Sequence, residues 1–214
     1  MRPAQSLFTR FLRFFFYLIY QPLAWSYDLV AWVVSLGQWK SWIFSSLPLL
    51  PGPRVLELGH GPGHLQLALH QMGTHTFGLD QSRQMSLLAH RRLQRSGYQS
   101  NLSRGLAQNL PFPANSFDQV VSTFPPEYIV QQELLAAIKR VLRPSGSFIV
   151  LPVAWIRSPR LLGRLAAWLF RATGQVASWD MLFSDKFRIA GFVVEERRVT
   201  LPESEVVLLI AKRD

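Results

Sequence analysis

A run of glycines between a carboxylate and a predicted helix is the feature of this sequence with the clearest chemical use. It follows the apolar stretch Arg54–Leu58, whose length and branched side chains predict a buried β-strand. The glycines stand two residues apart, at Gly59, Gly61 and Gly63. Glycine permits positive φ angles and lets a ligand lie against bare backbone. Because the following residues continue at helical spacing, the stretch predicts a strand, a cofactor-binding loop and a helix N-terminus.

A second carboxylate, Asp80, ends the next predicted strand, Thr74–Asp80, about 20 residues after the loop, as in nucleotide-binding α/β units. A carboxylate there can accept hydrogen bonds from both ribose hydroxyls, and such charge-assisted bonds are stronger than neutral ones. Asp80 is therefore the predicted ribose ligand, with Gln81 beside it. The alternative is that Asp80 only helps to begin the helix that Ser82 would cap.

The spacing of the loop distinguishes two classes of cofactor. A dinucleotide fingerprint requires a further glycine where this chain has His64. An acid at Glu57 followed by Gly59, Gly61 and Gly63 instead resembles the first motif of the class I S-adenosylmethionine-dependent methyltransferases.

A third stretch carries the same resemblance. Residues 105–118, Gly-Leu-Ala-Gln-Asn-Leu-Pro-Phe-Pro-Ala-Asn-Ser-Phe-Asp, resemble a segment of small-molecule methyltransferases whose acidic residue meets the adenine amino group. Leu106 holds the position of that acid. Adenine recognition would then rest on backbone groups near Ala107, on Gln108 and on apolar packing.

The resemblance implies S-adenosylmethionine as cofactor, S-adenosylhomocysteine as product and no metal ion. It also implies an α/β fold, a Rossmann-like doubly wound seven-stranded sheet whose last strand is antiparallel. Tyr27 and Asp28 resemble the Tyr-Asp pair ahead of the core in ubiquinone- and menaquinone-type methyltransferases, in which the aromatic ring lies by the cofactor. The predicted cofactor-binding residues are Tyr27, Glu57, Gly59, His60, Gly61, Gly63, Asp80, Gln81, Ala107, Gln108, Thr123 and Phe124.

The predicted catalytic residues are Glu127 and Tyr128, which follow Pro125 and Pro126 after the fourth strand. Methyltransferases that act on amino or amide nitrogens often have Asn or Asp, then Pro-Pro and an aromatic residue. Because Phe124 replaces the Asn or Asp here, the motif does not predict a nitrogen acceptor. Glu127 and Tyr128 are candidates for contact with the acceptor or for general base. The alternative is a helix N-terminal acid and a packed aromatic ring.

Further elements must position these residues. A helix over Gly63–Met72 would direct its N-terminal amides towards the cofactor carboxylate. Trp39 and Trp42 are assigned to packing. The remaining predicted elements are helices at Ser82–Ser96, Glu133–Leu142 and Asp185–Ala190, a turn at Arg143–Ser147, and strands at Gln99–Arg104, Phe117–Phe124, Phe148–Leu151, Phe192–Leu201 and Val206–Lys212.

Length and composition limit the possible partners. The 214 residues suffice for one α/β domain, over 51–214, with an extension over 1–50. With no cysteine in the sequence, disulfides and thiolate chemistry are excluded, and a cytoplasmic location is compatible. A formal charge of +10 combined with 49% hydrophobic residues points to an anionic surface, either a membrane or a nucleic acid.

The extension is hydrophobic and aromatic, but Pro22 and Asp28 interrupt any membrane-spanning helix. We expect two shorter helices, about Pro3–Tyr20 and Leu23–Leu36, that lie on a membrane surface or cap the catalytic core. A second basic amphipathic segment is predicted as an insertion at about 155–173. Its arginines fall at helical spacing: Arg157, Arg160, Arg164 and Arg171.

These observations predict methyl transfer to a small hydrophobic or lipid acceptor by a protein bound peripherally to the inner face of the membrane. One alternative is RNA methylation, which the net charge alone supports, so nucleic acid is the weaker expectation as a partner. The other is a methyltransferase-like binding or assembly protein without turnover, an interpretation that Leu106 invites.

Overall fold

The computed structural model describes residues 27–157 and 181–213. Across these residues it has six α-helices, here α1 to α6, and seven strands, β1 to β7. The helices are α1 Tyr27–Ser35, α2 Trp39–Phe44, α3 His64–Gln71, α4 Arg83–Arg95, α5 Gln132–Val141 and α6 Met181–Ile189. The strands are β1 Arg54–Leu58, β2 His75–Asp80, β3 Leu102–Arg104, β4 Phe117–Thr123, β5 Leu142–Ile156, β6 Phe192–Leu201 and β7 Ser204–Arg213. Short 3₁₀ turns lie at Leu47–Leu49 and Glu127–Val130.

The strands form one sheet in the order β3-β2-β1-β4-β5-β7-β6. Strands β1 to β5 are parallel to one another, and β7 is antiparallel to both β5 and β6. The predicted doubly wound sheet with an antiparallel last strand is therefore confirmed. The polar strand β3 lies at the edge, as its composition predicted.

Two apolar clusters cover the two faces of the sheet, because side chains alternate along each strand. In β1, Leu56 and Leu58 belong to the cluster under α5 and α6, whereas Val55 belongs to the opposite cluster. The second cluster includes Trp42 of α2, which is fully buried and donates its indole N–H to Ser204 Oγ at 2.8 Å. Helix α2, which lies within the N-terminal extension, thus packs as part of the core.

Two local predictions need correction. The residues Arg143–Ser147 form no separate turn, because β5 already begins at Leu142. Leu142 pairs with Phe117 of β4, and the next pair is Ser147 with Gln119, so β5 has extra residues between the two pairs. A bulge absorbs the extra residues, with Ser145 at φ +62°. Strand β5 also continues to Ile156 because it pairs with β7 over that length.

The N-terminal and insertion predictions fall partly outside the described residues. The predicted helix Pro3–Tyr20 lies outside them, and the second predicted helix is present as α1. In the predicted insertion, Trp155 belongs to β5, and Arg157 pairs with Glu205 at 2.5 Å, so Arg157 does not take part in a helical stripe. The other arginines of that stripe lie outside the described residues.

Gly63 precedes α3 with φ +80°, and a Cβ atom there would lie 2.7 Å from the Ala89 Cβ atom of α4. Gly73 has the same φ of +80° but no atom within 4 Å of such a Cβ atom. Gly73→Ala should therefore lower the unfolding free energy by about 1 kcal/mol through the left-handed backbone alone. Gly63→Ala should cost that amount plus about 1–3 kcal/mol of overpacking. Urea unfolding of both variants measures the difference, and equal losses would contradict this account.

Candidate active site

A cleft of about 750 Å³ opens where the parallel strands end, the edge at which open α/β sheets bind ligands. It brings together every predicted site residue except Gly63. Those residues are Tyr27, Glu57, Gly59, His60, Gly61, Asp80, Gln81, Ala107, Gln108, Thr123, Phe124, Glu127 and Tyr128. Gly63 instead allows the close contact between α3 and α4.

The glycine loop leaves open space beside its backbone. Gly59 and Gly61 have φ +72° and +51°, and no atom lies within 4 Å of a Cβ atom built on either. The Gly59 N–H donates to the Leu79 carbonyl at 2.8 Å, which fixes the loop against the end of β2. A ligand can therefore approach the loop backbone directly.

Glu57 is a buried carboxyl group at the base of this loop. Gln66 Nε2 donates to Glu57 Oε2 at 2.8 Å, and Gln66 Oε1 accepts from the Thr76 hydroxyl at 2.6 Å. Burial raises the pKa of Glu57 to about 8; the Gln66 hydrogen bond opposes this shift and the charge of Asp80 reinforces it. A positively charged ligand group beside Glu57 would favour the ionised carboxylate. Sequence reasoning missed Gln66 and Thr76, because their polar contacts join separate elements.

Asp80 holds the turn after β2 and also lines the cleft. Its Oδ2 accepts from the Gly61 N–H at 2.9 Å, and its Oδ1 accepts from the Ser82 N–H at 2.7 Å. Ser82 caps α4 by accepting from the Met85 N–H at 3.2 Å. Asp80 therefore does help to begin α4, as the alternative interpretation predicted. Its carboxylate oxygens still have lone pairs that a ligand could use.

His60 is buried between the loop and β2. Its Nδ1 lies 2.8 Å from the Gly61 carbonyl, so Nδ1 carries the proton and Nε2 the lone pair. Burial lowers the pKa of His60, and Nε2 is buried without a hydrogen-bond partner among the residues the structure describes. Gly78 makes room for the ring, because a Cβ atom there would lie 2.8 Å from His60 Cδ2.

An aromatic group and an ion-pair network connect the N-terminal helices to the cleft. Trp39 stacks on Phe124 with ring centroids 4.6 Å apart, and Tyr27 meets Trp39 edge-on at 6.2 Å. Asp28 accepts from His64 Nε2 at 2.8 Å and from Arg92 at 2.7 Å. These contacts, led by the His64 hydrogen bond, lower the pKa of Asp28 to about 2.

The charge of the cleft differs from that of the whole chain. Within the described residues, the lining includes the acids Glu57, Asp80 and Glu127 and no arginine or lysine. Tyr128 also lines it, and burial followed by the charge of Asp80 raises the pKa of its hydroxyl. In the same part of the chain, no cluster of three or more His, Cys, Asp or Glu residues could hold a metal ion.

Comparison with known proteins agrees with this geometry. A family model described as a methyltransferase domain matches residues 56–150, the stretch that carries the glycine loop, Asp80 and the end of β4. Residues 56–150 thus match a methyltransferase domain, and the fold is that of the class I S-adenosylmethionine-dependent methyltransferases. The match ends inside β5, so the N-terminal helices and the β6–β7 hairpin lie outside it.

The chain is similar in sequence to quinone methyltransferases. The demethylmenaquinone methyltransferase of Symbiobacterium thermophilum is 32% identical over 142 residues, covering 62% of this chain and 57% of that protein. The chain thus spans less than two thirds of that relative. The demethylmenaquinone methyltransferase of Bacillus licheniformis is 26% identical over 190 residues, covering 84% of this chain and 79% of that protein.

A solved structure shares the methyltransferase fold. It is that of phosphoethanolamine N-methyltransferase 2 from Haemonchus contortus in complex with S-adenosyl-L-methionine. Its TM-score is 0.59 at 17% identity, covering 83% of this chain and 53% of that chain.

Sequence reasoning missed the contacts of two residues on the N-terminal helices, Trp39 and Asp28. Trp39 was assigned to packing, yet it lines the cleft; its i, i+3 spacing from Trp42 placed both on one helix face but not against Phe124. Asp28 was treated as an obstacle to membrane insertion, whereas its carboxylate joins α1 to α3 and α4. Neither pairing has a signal in sequence, because each partner is distant along the chain.

The raised pKa of Glu57 predicts how the stability of this protein depends on pH. Between its ordinary pKa of 4.5 and its folded value of about 8, the folded state keeps a proton that the unfolded state has lost. Stability therefore falls as pH rises from about 5 to 8, by up to about 1.4 kcal/mol per pH unit from this group. Glu57→Gln should remove that slope in denaturant titrations. Glu133→Gln, at an exposed position of α5, should keep it.

Proposed function

We propose that this chain transfers the methyl group of S-adenosylmethionine to a small hydrophobic acceptor. The observation that carries the proposal is the single cleft that joins the glycine loop, Glu57 and Asp80 with residues that follow β4. The first set lies after β1 and β2 and suits a cofactor. The second set, Phe124, Glu127 and Tyr128, lies after β4 and suits an acceptor.

The cleft residues fit the chemical groups of S-adenosylmethionine. The open backbone at Gly59 and Gly61 would take the methionine part, with the Glu57 carboxyl group available to its positively charged amino group. Asp80 would accept from the ribose hydroxyls through its unused lone pairs. Leu106, which is 48% exposed, would lie against adenine, and Ala107 and Gln108 would supply polar contacts.

When bound, this cofactor supplies a methyl group already activated by a sulfonium centre. The tasks of the protein are then to orient the acceptor, to exclude water and to take up a proton if the acceptor loses one. The exposed carboxylate of Glu127 is the proposed proton acceptor. Tyr128 has a raised pKa and keeps its proton near neutral pH, so its hydroxyl is proposed as a hydrogen-bond donor to the acceptor.

The relatives support a hydrophobic acceptor, because two are named as demethylmenaquinone methyltransferases. The composition of the cleft agrees, since Tyr27, Trp39 and Phe124 supply apolar surface. RNA is a weaker candidate: among the described residues, the lining offers no arginine or lysine to a phosphate.

We also propose that the acceptor is reached at a membrane surface. Helix α1 exposes apolar side chains next to the cleft-lining Tyr27, and Leu29 and Trp32 are 61% and 62% exposed. The preceding residues 11–26 are strongly apolar and aromatic; Arg13 lies within this stretch and Arg10 directly before it. No helix within the described ranges is both long and apolar enough to cross a membrane.

The cofactor site can be tested by calorimetric titration of the full-length protein with S-adenosylmethionine and S-adenosylhomocysteine. Wild type should bind both, and Asp80→Ala should weaken each at least about tenfold, because a charge-assisted contact to the ribose is lost. Asp185→Ala, which removes an exposed carboxylate on α6, should leave both affinities unchanged. Folded wild type that binds neither molecule would overturn the proposal and favour a binding or assembly role.

The membrane contact can be tested by sedimentation with vesicles of phosphatidylcholine and phosphatidylglycerol in a 3:1 ratio, a mixture of about 25% anionic lipid. The double variant Leu29→Ser/Trp32→Ser should lose at least about half of the bound fraction, because apolar burial drives interfacial binding. The control Ile189→Ser removes an apolar side chain from α6 that is even more exposed, at 76%, and this variant should sediment like wild type. If the double variant also sediments like wild type, α1 is not the membrane contact.

A further inference from the structure

A pair of stacked rings forms one wall of the cleft. The rings of Trp39 and Phe124 lie nearly parallel, with an interplanar angle of 24° and centroids 4.6 Å apart. Both side chains are only half-buried, and both line the cleft. The edge of Tyr27 completes the group, 6.2 Å from Trp39. Trp42, by contrast, is fully buried.

A third ring, that of Trp42, and a backbone hydrogen bond hold the stacked pair in place. Trp42 lies 6.3 Å from Trp39 and 6.0 Å from Phe124, and its indole N–H is anchored on Ser204 of β7. The Phe124 N–H donates to the Leu151 carbonyl of β5 at 2.7 Å. A ring surface fixed in this way is available to a flat ligand without loss of side-chain entropy on binding.

Phe124 adopts a backbone conformation that its side chain does not favour. Its φ is +49°, in the left-handed region that bulky residues seldom occupy. Strained backbone of this kind persists where the surrounding structure holds it, and it clusters at ligand-binding positions. The strain directs the chain from the end of β4 into Pro125 and Pro126, with the ring of Phe124 on the cleft wall.

The charge of the cleft decides which flat ligands suit this wall. The chain carries a formal charge of +10, yet within the described residues the cleft lining has the carboxylates of Asp80 and Glu127 and no lysine or arginine. Glu57 also lines the cleft, but burial raises its pKa to about 8, so it keeps its proton near neutral pH. A phosphate-bearing acceptor would meet like charge and no cationic partner. A cationic acceptor would be repelled by the sulfonium from which it must take the methyl group. An uncharged ring avoids both penalties.

We infer that Trp39 and Phe124 form the acceptor platform and select a planar, uncharged aromatic acceptor. The inference rests on the proposed function, because it names the class of acceptor for the same cleft. In this assignment Trp39 and Phe124 determine specificity through stacking, and they take no part in proton transfer.

The test compares three probes that share one ring system: 1-naphthol, 1-naphthyl phosphate and 1-naphthylmethylammonium. Their binding to the full-length protein is measured by calorimetry, with and without saturating S-adenosylhomocysteine and without vesicles. We expect 1-naphthol to bind at least about tenfold more tightly than 1-naphthyl phosphate, which must give up hydration beside like charge. The ammonium probe should lose affinity when saturating S-adenosylmethionine replaces S-adenosylhomocysteine, because only S-adenosylmethionine carries the repelling sulfonium.

Two variants test the platform itself. Trp39→Ala removes one ring, and Phe124→Asn removes the other while asparagine tolerates the positive φ. Each should weaken 1-naphthol binding about fivefold or more through lost stacking and apolar contact. For Trp39→Ala the affinity for S-adenosylhomocysteine should change less than about threefold, because Trp39 is not one of the predicted cofactor-binding residues and the variant removes stacking on the acceptor side. Tyr98→Ala, which removes a ring stacked on His70 at 5.1 Å outside the cleft lining, is the matched control.

The outcomes separate this inference from the proposed function. If S-adenosylhomocysteine binds but the variants retain wild-type affinity for 1-naphthol, the platform assignment is overturned. Equal or tighter binding of 1-naphthyl phosphate, or an ammonium probe that binds as tightly with S-adenosylmethionine as with S-adenosylhomocysteine, overturns the assignment of an uncharged acceptor. 1-Naphthyl phosphate as the tightest probe would revive a phosphate-bearing acceptor. If S-adenosylhomocysteine does not bind at all, the proposed function fails, whatever the three probes do.

Discussion

The hydrogen-bonded position of β1 between β2 and β4 is the constraint on which the rest of the site depends. Parallel pairing aligns Leu58 with Leu79, and it aligns Glu57 with Gly78 on one side and Val121 on the other. The carboxyl ends of three strands therefore meet at one edge, where each chain turns into a loop. Because the strands are fixed by backbone hydrogen bonds, the loop residues can be polar, strained or glycine without loss of the fold.

The buried polar groups near this edge have partners on several elements. Glu57 is neutralised near neutral pH by burial, and Gln66 of α3 donates to its carboxyl group while accepting in turn from the Thr76 hydroxyl of β2. A buried carboxyl group without such partners would destabilise the core. A ligand cation beside Glu57 would replace the missing solvation and favour ionisation, so cofactor binding and the charge state of this group should be linked.

The N-terminal helices belong to the site as well as to the surface. Asp28 ties α1 to the starts of α3 and to α4, while Trp39 of α2 lies on Phe124 at the end of β4. The other face of α1 exposes Leu29 and Trp32. This short segment thus lines the cleft on one side and exposes apolar side chains on the other. The cap over the core and the surface contact both stay predictions.

The sequence by itself determined the order of strands and helices, the glycine loop and the family. Local signals suffice for these: apolar runs for strands, glycine spacing for the loop, and Asp80 at a strand end. The bulge at Arg143–Ser147 was not predictable, since proline and glycine indicate a turn whether or not the flanking residues pair with β4. Only the tertiary structure decided that Asp28 pairs with His64 and Arg92, and that Trp39 stacks on Phe124. These contacts join residues that are 36 to 85 positions apart in the sequence. Their energies depend on the distance between the groups in space, and a local sequence pattern does not encode that distance.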